Sequence, residues 1–264
     1  ASSGGNQLWS TYGYDNAGRL ASADIGPHTY TYGYGTQNSS CGTAANMNAN
    51  SGKNGNRTSQ TVDGASTTYC YDYADRLVSS SDPSANYAEY DSHGNMTYLG
   101  TSASPQRLCY DSSDRNYCLV SYNSSGTGNG MYYARDVAGR LTYREHDTIT
   151  NWNWNMDGQY WYGYTGDGGS SFIKNASSTI VEKTIQLAGG IMMTIKPQQT
   201  GNNQKQYSMS NVLGRTLLTA NAAGTNTSTG NGPLSSFTYD PFGNPLAGST
   251  LPANTEMCSY GFGG

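Results

Sequence analysis

The chain has 264 residues, a formal net charge of −4 and only 12% charged residues. With no basic patch to neutralise phosphates, a nucleic-acid partner is excluded. Gly (34) and Tyr (23) are abundant, while Leu, Glu, Lys and Ala are too scarce for a helical bundle. Aromatics are too common for a disordered chain.

The opening is rich in Ser and Gly and carries no charged-then-apolar leader, which points to a mature or excised piece of a longer protein. A first hairpin region covers 1–35, where Tyr30-Thr-Tyr-Gly-Tyr34 alternates as a half-buried strand does. Residues 36–56 read as a long Ser/Asn/Gly loop insertion containing Cys41. Residues 57–145 read as stacked hairpins, each a strand, a polar turn and a second strand ending in Leu, Val or Met. In the Trp-rich stretch 150–168, Asp157-Gly158 is expected to be a hairpin turn. Beyond 169 the character changes: Thr179–Leu187 alternates with period 2, and Gly189-Gly190 turns it into Ile191–Ile195. That Leu187–Ile195 stretch holds the longest apolar run, which is far too short to span a bilayer. A further hairpin is expected over Tyr207–Leu218, with a Gly/Thr/Asn loop over 220–233.

A degenerate motif organises the whole. Tyr14-Asp15-Asn-Ala-Gly18-Arg19-Leu20 recurs as Tyr71-Asp72 with Arg76, Tyr90-Asp91 with Gly94, Tyr110-Asp111 with Arg115, Arg135-Asp136 with Gly139 and Arg140, and Tyr239-Asp240 with Gly243. A period near twenty residues means a repeat architecture, because one hairpin cannot bury its face alone. Each residue type has a structural reason. Tyr offers an apolar body and a hydroxyl that reaches a carbonyl or water. Asp accepts N–H bonds across its own turn, Gly supplies positive φ, and Arg bridges to an aspartate or stacks on a Tyr.

Cys109 and Cys118 bracket eight residues. If Ser113-Asp114 is a two-residue turn, Tyr110 faces Tyr117 and Cys109 faces Cys118 within disulfide reach; two free thiols are the alternative. Cys41, Cys70 and Cys258 remain, so an odd total leaves one free or intermolecular. This usage, with low Lys, suits a secreted, extracellular or cell-surface protein. His28, His93 and His146 lack metal-ligand spacing, and no nucleophile elbow or phosphate loop appears. The chain is therefore expected to be no enzyme, with no catalytic residue, metal or cofactor. Trp152, Trp154 and Trp161 read either as a glycan platform or as alternating core residues.

These repeats resemble the YD-repeat family, shared by bacterial Rhs proteins, the C component of insecticidal Tc toxins and animal teneurins. The resemblance extends to Gln186–Ile195, Val212–Thr219 and Tyr239–Leu246, which follow the order of an Rhs shell end. It implies an all-β fold of stacked antiparallel hairpins coiling into a sheet, spiral or hollow shell. Residues 1–168 would be the repeat array and 169–264 the terminal part of the shell, continuous with it. It also implies as partners the rest of a longer shell protein and an enclosed C-terminal toxin. The family's self-cleaving core begins just past a segment like Tyr260-Gly-Phe-Gly, where this chain ends, so neither protease nor toxin carries over; Asp240-Pro241 is not that cleavage motif. Two other roles remain open: a carbohydrate-binding or adhesion module, and a filament subunit pairing with itself through edge strands.

Overall fold

The computed structural model describes residues 10–37, 47–101, 103–165, 170–211, 214–224, 235–244 and 246. Among them the chain is all-β, with only short 3-10 turns between strands. A six-stranded sheet runs in chain order through β1 (Ser10–Tyr14), β2 (Leu20–Ile25), β3 (His28–Gly33), β4 (Ser59–Val62), β5 (Ala65–Tyr71) and β6 (Leu77–Ser80). A thirteen-stranded sheet continues through β7 (Ala88–Tyr90), β8 (Met96–Thr101), β9 (Ser104–Tyr110), β10 (Asn116–Tyr122), β11 (Gly128–Arg135), β12 (Leu141–Thr150) and β13 (Asn153–Tyr164). It ends with β14 (Ser170–Asn175), β15 (Ile180–Gln186), β16 (Ile191–Ile195), β17 (Lys205–Ser210), β18 (Thr216–Asn221) and β19 (Ser235–Ser236). Within each sheet every strand pairs with its chain neighbours, mostly through short turns, while β3 and β4 pair across the longer connection 34–58. Neither sheet closes on itself: β1 and β6 end the first, β7 and β19 the second.

The chain divides into two compact units, Ala1–Tyr132 with His146–Met156, and Tyr133–Glu145 with Asp157–Gly264. In the first unit Ala23, Ile25, Tyr30 and Tyr32 are buried at alternating positions of β2 and β3. A second apolar cluster gathers Cys118, Val120 and Ile149 with Cys109, Tyr122 and Tyr132 against them. The second unit buries Ile173, Ala220 and Phe237 beside polar Glu182, Thr194, Gln206 and Asn221.

Two local expectations are corrected. Cys109 does face Cys118 and the two form a disulfide, but Tyr110 faces Asn116 rather than Tyr117. The turn carries an extra residue, and the resulting bulge between Asn116 and Cys118 shifts the register. Nor is Asp157-Gly158 a turn: β13 runs straight through it. The chain reverses at Asn151-Trp152 instead, with φ of 50° and 66°. That reversal puts Trp154 over Gly130 and brings the Tyr164 hydroxyl onto the Leu141 carbonyl. Cys70 is disulfide-bonded; Cys41, Cys258, Val212, Leu213 and Tyr260–Gly264 lie outside the described residues.

Candidate functional site: a repeated turn clamp and an aromatic strip

Every Tyr-Asp copy builds one kind of turn. In the first, the Asp15 N–H donates to the Arg19 carbonyl and the Gly18 N–H to the Asp15 carbonyl, both at 2.9 Å. The same pair of bonds closes the turns at Asp72, Asp91, Asp111, Asp136 and Asp240. This is a type I turn followed by a residue in the left-handed region. Gly18, Gly94, Gly139 and Gly243 fill that fourth position, and Asp75 and Asp114 fill it where no glycine is present. The aspartate side chain holds the turn from inside. Asp15 Oδ1 accepts from the Ala17 and Arg19 N–H groups, each at 2.9 Å. Its Oδ2 accepts from Arg19 Nε at 2.7 Å. The other copies repeat this, with Arg76, Arg115 and Arg140, or Asn95 and Asn244, on the second oxygen.

These contacts favour the ionised carboxylate. The Arg19 side chain beside Asp15, Asn95 beside Asp91 and Arg140 beside Asp136 hold those carboxyls below the usual range. The Arg115 N–H does the same for Asp111. Burial pushes Asp72 up, but its bonds from Arg76 and Ala74 outweigh that and leave it lowered.

The motif's tyrosine and arginine act between successive hairpins. The Tyr34 hydroxyl donates to the Leu20 carbonyl at 2.9 Å while the Arg19 guanidinium lies 4.3 Å from the Tyr34 ring centre. Tyr90 does this with Leu77 and Arg76, Tyr164 with Leu141 and Arg140, and Tyr239 with Thr216 and Arg215. Tyr71 donates to the Arg57 carbonyl at 3.0 Å. Burial pushes the Tyr71, Tyr90 and Tyr239 hydroxyls up, which keeps them donors. Tyr14, on edge strand β1, is 64% exposed. Arginine thus serves both functions expected of it, ion-pairing within its turn and stacking on the next hairpin's ring.

Sequence reading missed three members. Asn123, Asn175 and Asn211 build the same turn, closed by Thr127, Thr179 and Arg215. The signal was present as Asn-x-x-Gly or Asn-x-x-Ser, with Asn standing in for Asp. Also missed was a tie between turns. Asp114 accepts from Asn95 Nδ2 at 2.8 Å and lies 2.8 Å from His93 Nδ1. Asp75 likewise accepts from Asn56 at 2.7 Å and from Asn54. Asn95 and Asn56 each stand 19 residues before their aspartate, one repeat period. His28 sits 2.6 Å from Asp63, also at positive φ.

The three tryptophans are divided between the two units: Trp152 and Trp154 belong to the first and Trp161 to the second. Trp161 rests on Tyr143, with ring centres 5.1 Å apart. Trp152 meets Tyr122 edge-on at 5.1 Å, and Trp154 meets Tyr132 at 6.4 Å. Their rings occupy the space where Cβ atoms at Gly126 and Gly130 would sit. Trp152 and Trp154 nevertheless stay 57% and 48% exposed. The stack extends past Tyr122: Arg107 Nε donates to the Tyr122 hydroxyl at 2.9 Å, and the guanidinium lies 5.3 Å from the Tyr98 ring centre. Tyr87 then meets Tyr98 edge-on at 5.8 Å.

Among the described residues no group of three or more His, Cys, Asp or Glu side chains gathers as a metal site. No helix among them is long and apolar enough to cross a membrane.

No family model matches the chain, and no curated protein matches it by sequence. Among solved structures it is similar to a crystal structure of TcdB2-TccC3, at 14% identity and a TM-score of 0.34, over 89% of this chain and 15% of that one. A form of TcdB2-TccC3 without its hypervariable C-terminal region gives 14% identity and a TM-score of 0.34, over 89% of this chain and 18% of that one. TcdB2-TccC3-TEV gives 15% and 0.32, over 89% and 18%. The chain spans less than a fifth of the length of these structures. The fold described above rests on the strand ladders themselves.

Proposed function

We propose that this chain is a structural segment of a secreted or cell-surface Rhs-like protein, building part of a β-shell or stalk around a C-terminal toxin that lies outside it. The observation that carries the reading is the inter-hairpin clamp: a Tyr hydroxyl on the previous hairpin's carbonyl, with that hairpin's Arg over the ring. Such a unit extends a sheet hairpin by hairpin, with contacts only between neighbours. The turn chemistry that the chain repeats is used up in holding itself and its neighbour, so the segment acts as wall and not as enzyme.

Electron microscopy of the full-length protein, with an antibody fragment raised against this segment, tests the reading. Closed hollow particles labelled on their wall are expected. Particles without a lumen, or label on a separate lobe, would overturn it.

A further inference from the structure

We propose that the strip Tyr98–Arg107–Tyr122–Trp152 binds an acidic sugar, a pyranose carrying a carboxylate, with its C–H face on the aromatic rings and its carboxylate on Arg107. The site is independent of the wall role and lies within the first unit.

Three observations lead there. The first is the backbone of Trp152. It sits at φ 66° in a two-residue turn after Asn151 at φ 50°. Such turns favour Gly at that position, and a bulky residue with positive φ is a strained outlier of the kind that gathers at functional sites. The turn thereby lays an indole over Gly126 and against Tyr122 while leaving it 57% exposed. Packing on Gly126 and Tyr122 leaves more than half of the residue open to solvent.

The second is the state of Arg107. Arg19, Arg76, Arg115 and Arg140 each bind a carboxylate within their own turn. Arg107 is exposed and is held instead by two tyrosines, through Nε to the Tyr122 hydroxyl and by stacking on Tyr98. Among the described residues it makes no salt bridge; Glu89, an acid whose charge acts on it, accepts from the Tyr87 hydroxyl at 3.1 Å. A guanidinium fixed at Nε keeps its terminal N–H groups for a planar, two-oxygen acceptor. Here charge complementarity selects a carboxylate over a neutral sugar.

The third is the layout. Tyr98, Arg107 and Tyr122 stand on adjacent strands β8, β9 and β10. Adjacent strands lie about 4.8 Å apart, so ring, cation and ring follow one another in a shallow line rather than a pocket. Interleaved aromatic faces and hydroxyls suit the alternating C–H and O–H surfaces of a sugar better than a continuous apolar chain.

The test is calorimetric titration of the full chain with trigalacturonate and, separately, with neutral maltotriose. Binding of trigalacturonate alone is expected, weakening with added salt. Arg107→Gln and Trp152→Gly should each weaken it by about tenfold or more. Trp152→Gly relieves the strained backbone but loses the ring held on Gly126 and Tyr122. Thermal melting therefore checks that this variant is folded at the titration temperature, and the exposed Arg107→Gln carries the test independently. No binding of trigalacturonate at millimolar concentration, equal binding of maltotriose, or full affinity in both variants would overturn the proposal.

Discussion

The turns at Asp72 and Asn123 share a backbone and differ in chemistry. Each is closed by the same two main-chain bonds, and in each one side-chain oxygen accepts from the N–H groups two and four residues on. At Asp72 a second, charged oxygen also takes Arg76, whose guanidinium stacks on Tyr90 of the next hairpin. At Asn123 the next contact comes from elsewhere, the Trp152 ring over Gly126 and the Trp152 N–H on the Gly126 carbonyl. One acceptor atom is enough to shape the turn. At Asp72 the carboxylate's additional role is to hold the arginine that ties this hairpin to the next; at Asn123 the Trp152 ring, from the turn between β12 and β13, makes the next contact instead.

Four experiments break or sharpen this contrast. The largest effect is expected at Asp72, whose carboxylate is buried. Asp72→Ala leaves the Ala74 and Arg76 N–H groups and the Arg76 guanidinium without their acceptor and should cost about 3 kcal/mol, while Asp72→Asn keeps Oδ1 and should cost about 1 kcal/mol. Urea midpoints at constant m measure both; equal losses would show that the charged oxygen does nothing.

Next comes the Asp111 hairpin, which carries both a carboxylate turn and the Cys109–Cys118 bridge. Replacing both cysteines with Ala opens a short loop and should cost about 2–3 kcal/mol by the chain-entropy account. A loss well below that would mean the Asp111 turn alone already holds the strands in register.

The fourth-position glycines separate the two turn types directly. Gly18→Ala meets nothing within 4 Å and bears only its positive φ, so about 1 kcal/mol is expected. Gly126→Ala bears a similar φ and also drives a methyl into the Trp152 ring, so about 2–3 kcal/mol is expected. Identical melting shifts would remove Trp152 from the account of the Asn123 turn.

Smallest and most diagnostic is pH. Asp15, Asp91, Asp111 and Asp136 have folded pKa values below those of an unfolded chain. Their contribution is therefore present above about pH 4 and is lost as pH falls through the folded values. Protection factors at the Ala17 and Arg19 amides, that is, exchange rates relative to each amide's intrinsic rate at that pH, should fall in acid, while those at Ser125 and Thr127, held by Asn123, should not. His93 runs the other way. Asp114 raises its pKa, with Asp91 also facing it, so its contribution is full below about pH 6.5 and fades as pH rises through the folded value. His93→Gln should flatten that second dependence; a neutral-range dependence that persists would assign it elsewhere.

Much of this was legible in the residues. Tyr-Asp-x-x-Gly-Arg spells out a turn because every bond inside it links residues at most four apart. The local pattern misled at Asp157-Gly158, a turn dipeptide lying within a twelve-residue strand. There the Trp154 ring on Gly130 and the Tyr164 hydroxyl on Leu141 outweigh a two-residue preference. Arg107 was invisible for a related reason: it sits outside any motif, and its partners come from strands 9 and 15 residues away.

By itself the amino-acid order determined the all-β class, the repeat and the carboxylate turns, since these depend on short-range hydrogen bonds and on which residues tolerate positive φ. Only the tertiary structure decided where the long hairpin reverses, that two tyrosines rather than a carboxylate hold Arg107, and which tryptophan lies against which tyrosine. Those outcomes depend on strand register, and register is settled by side chains that meet across the sheet from distant parts of the chain.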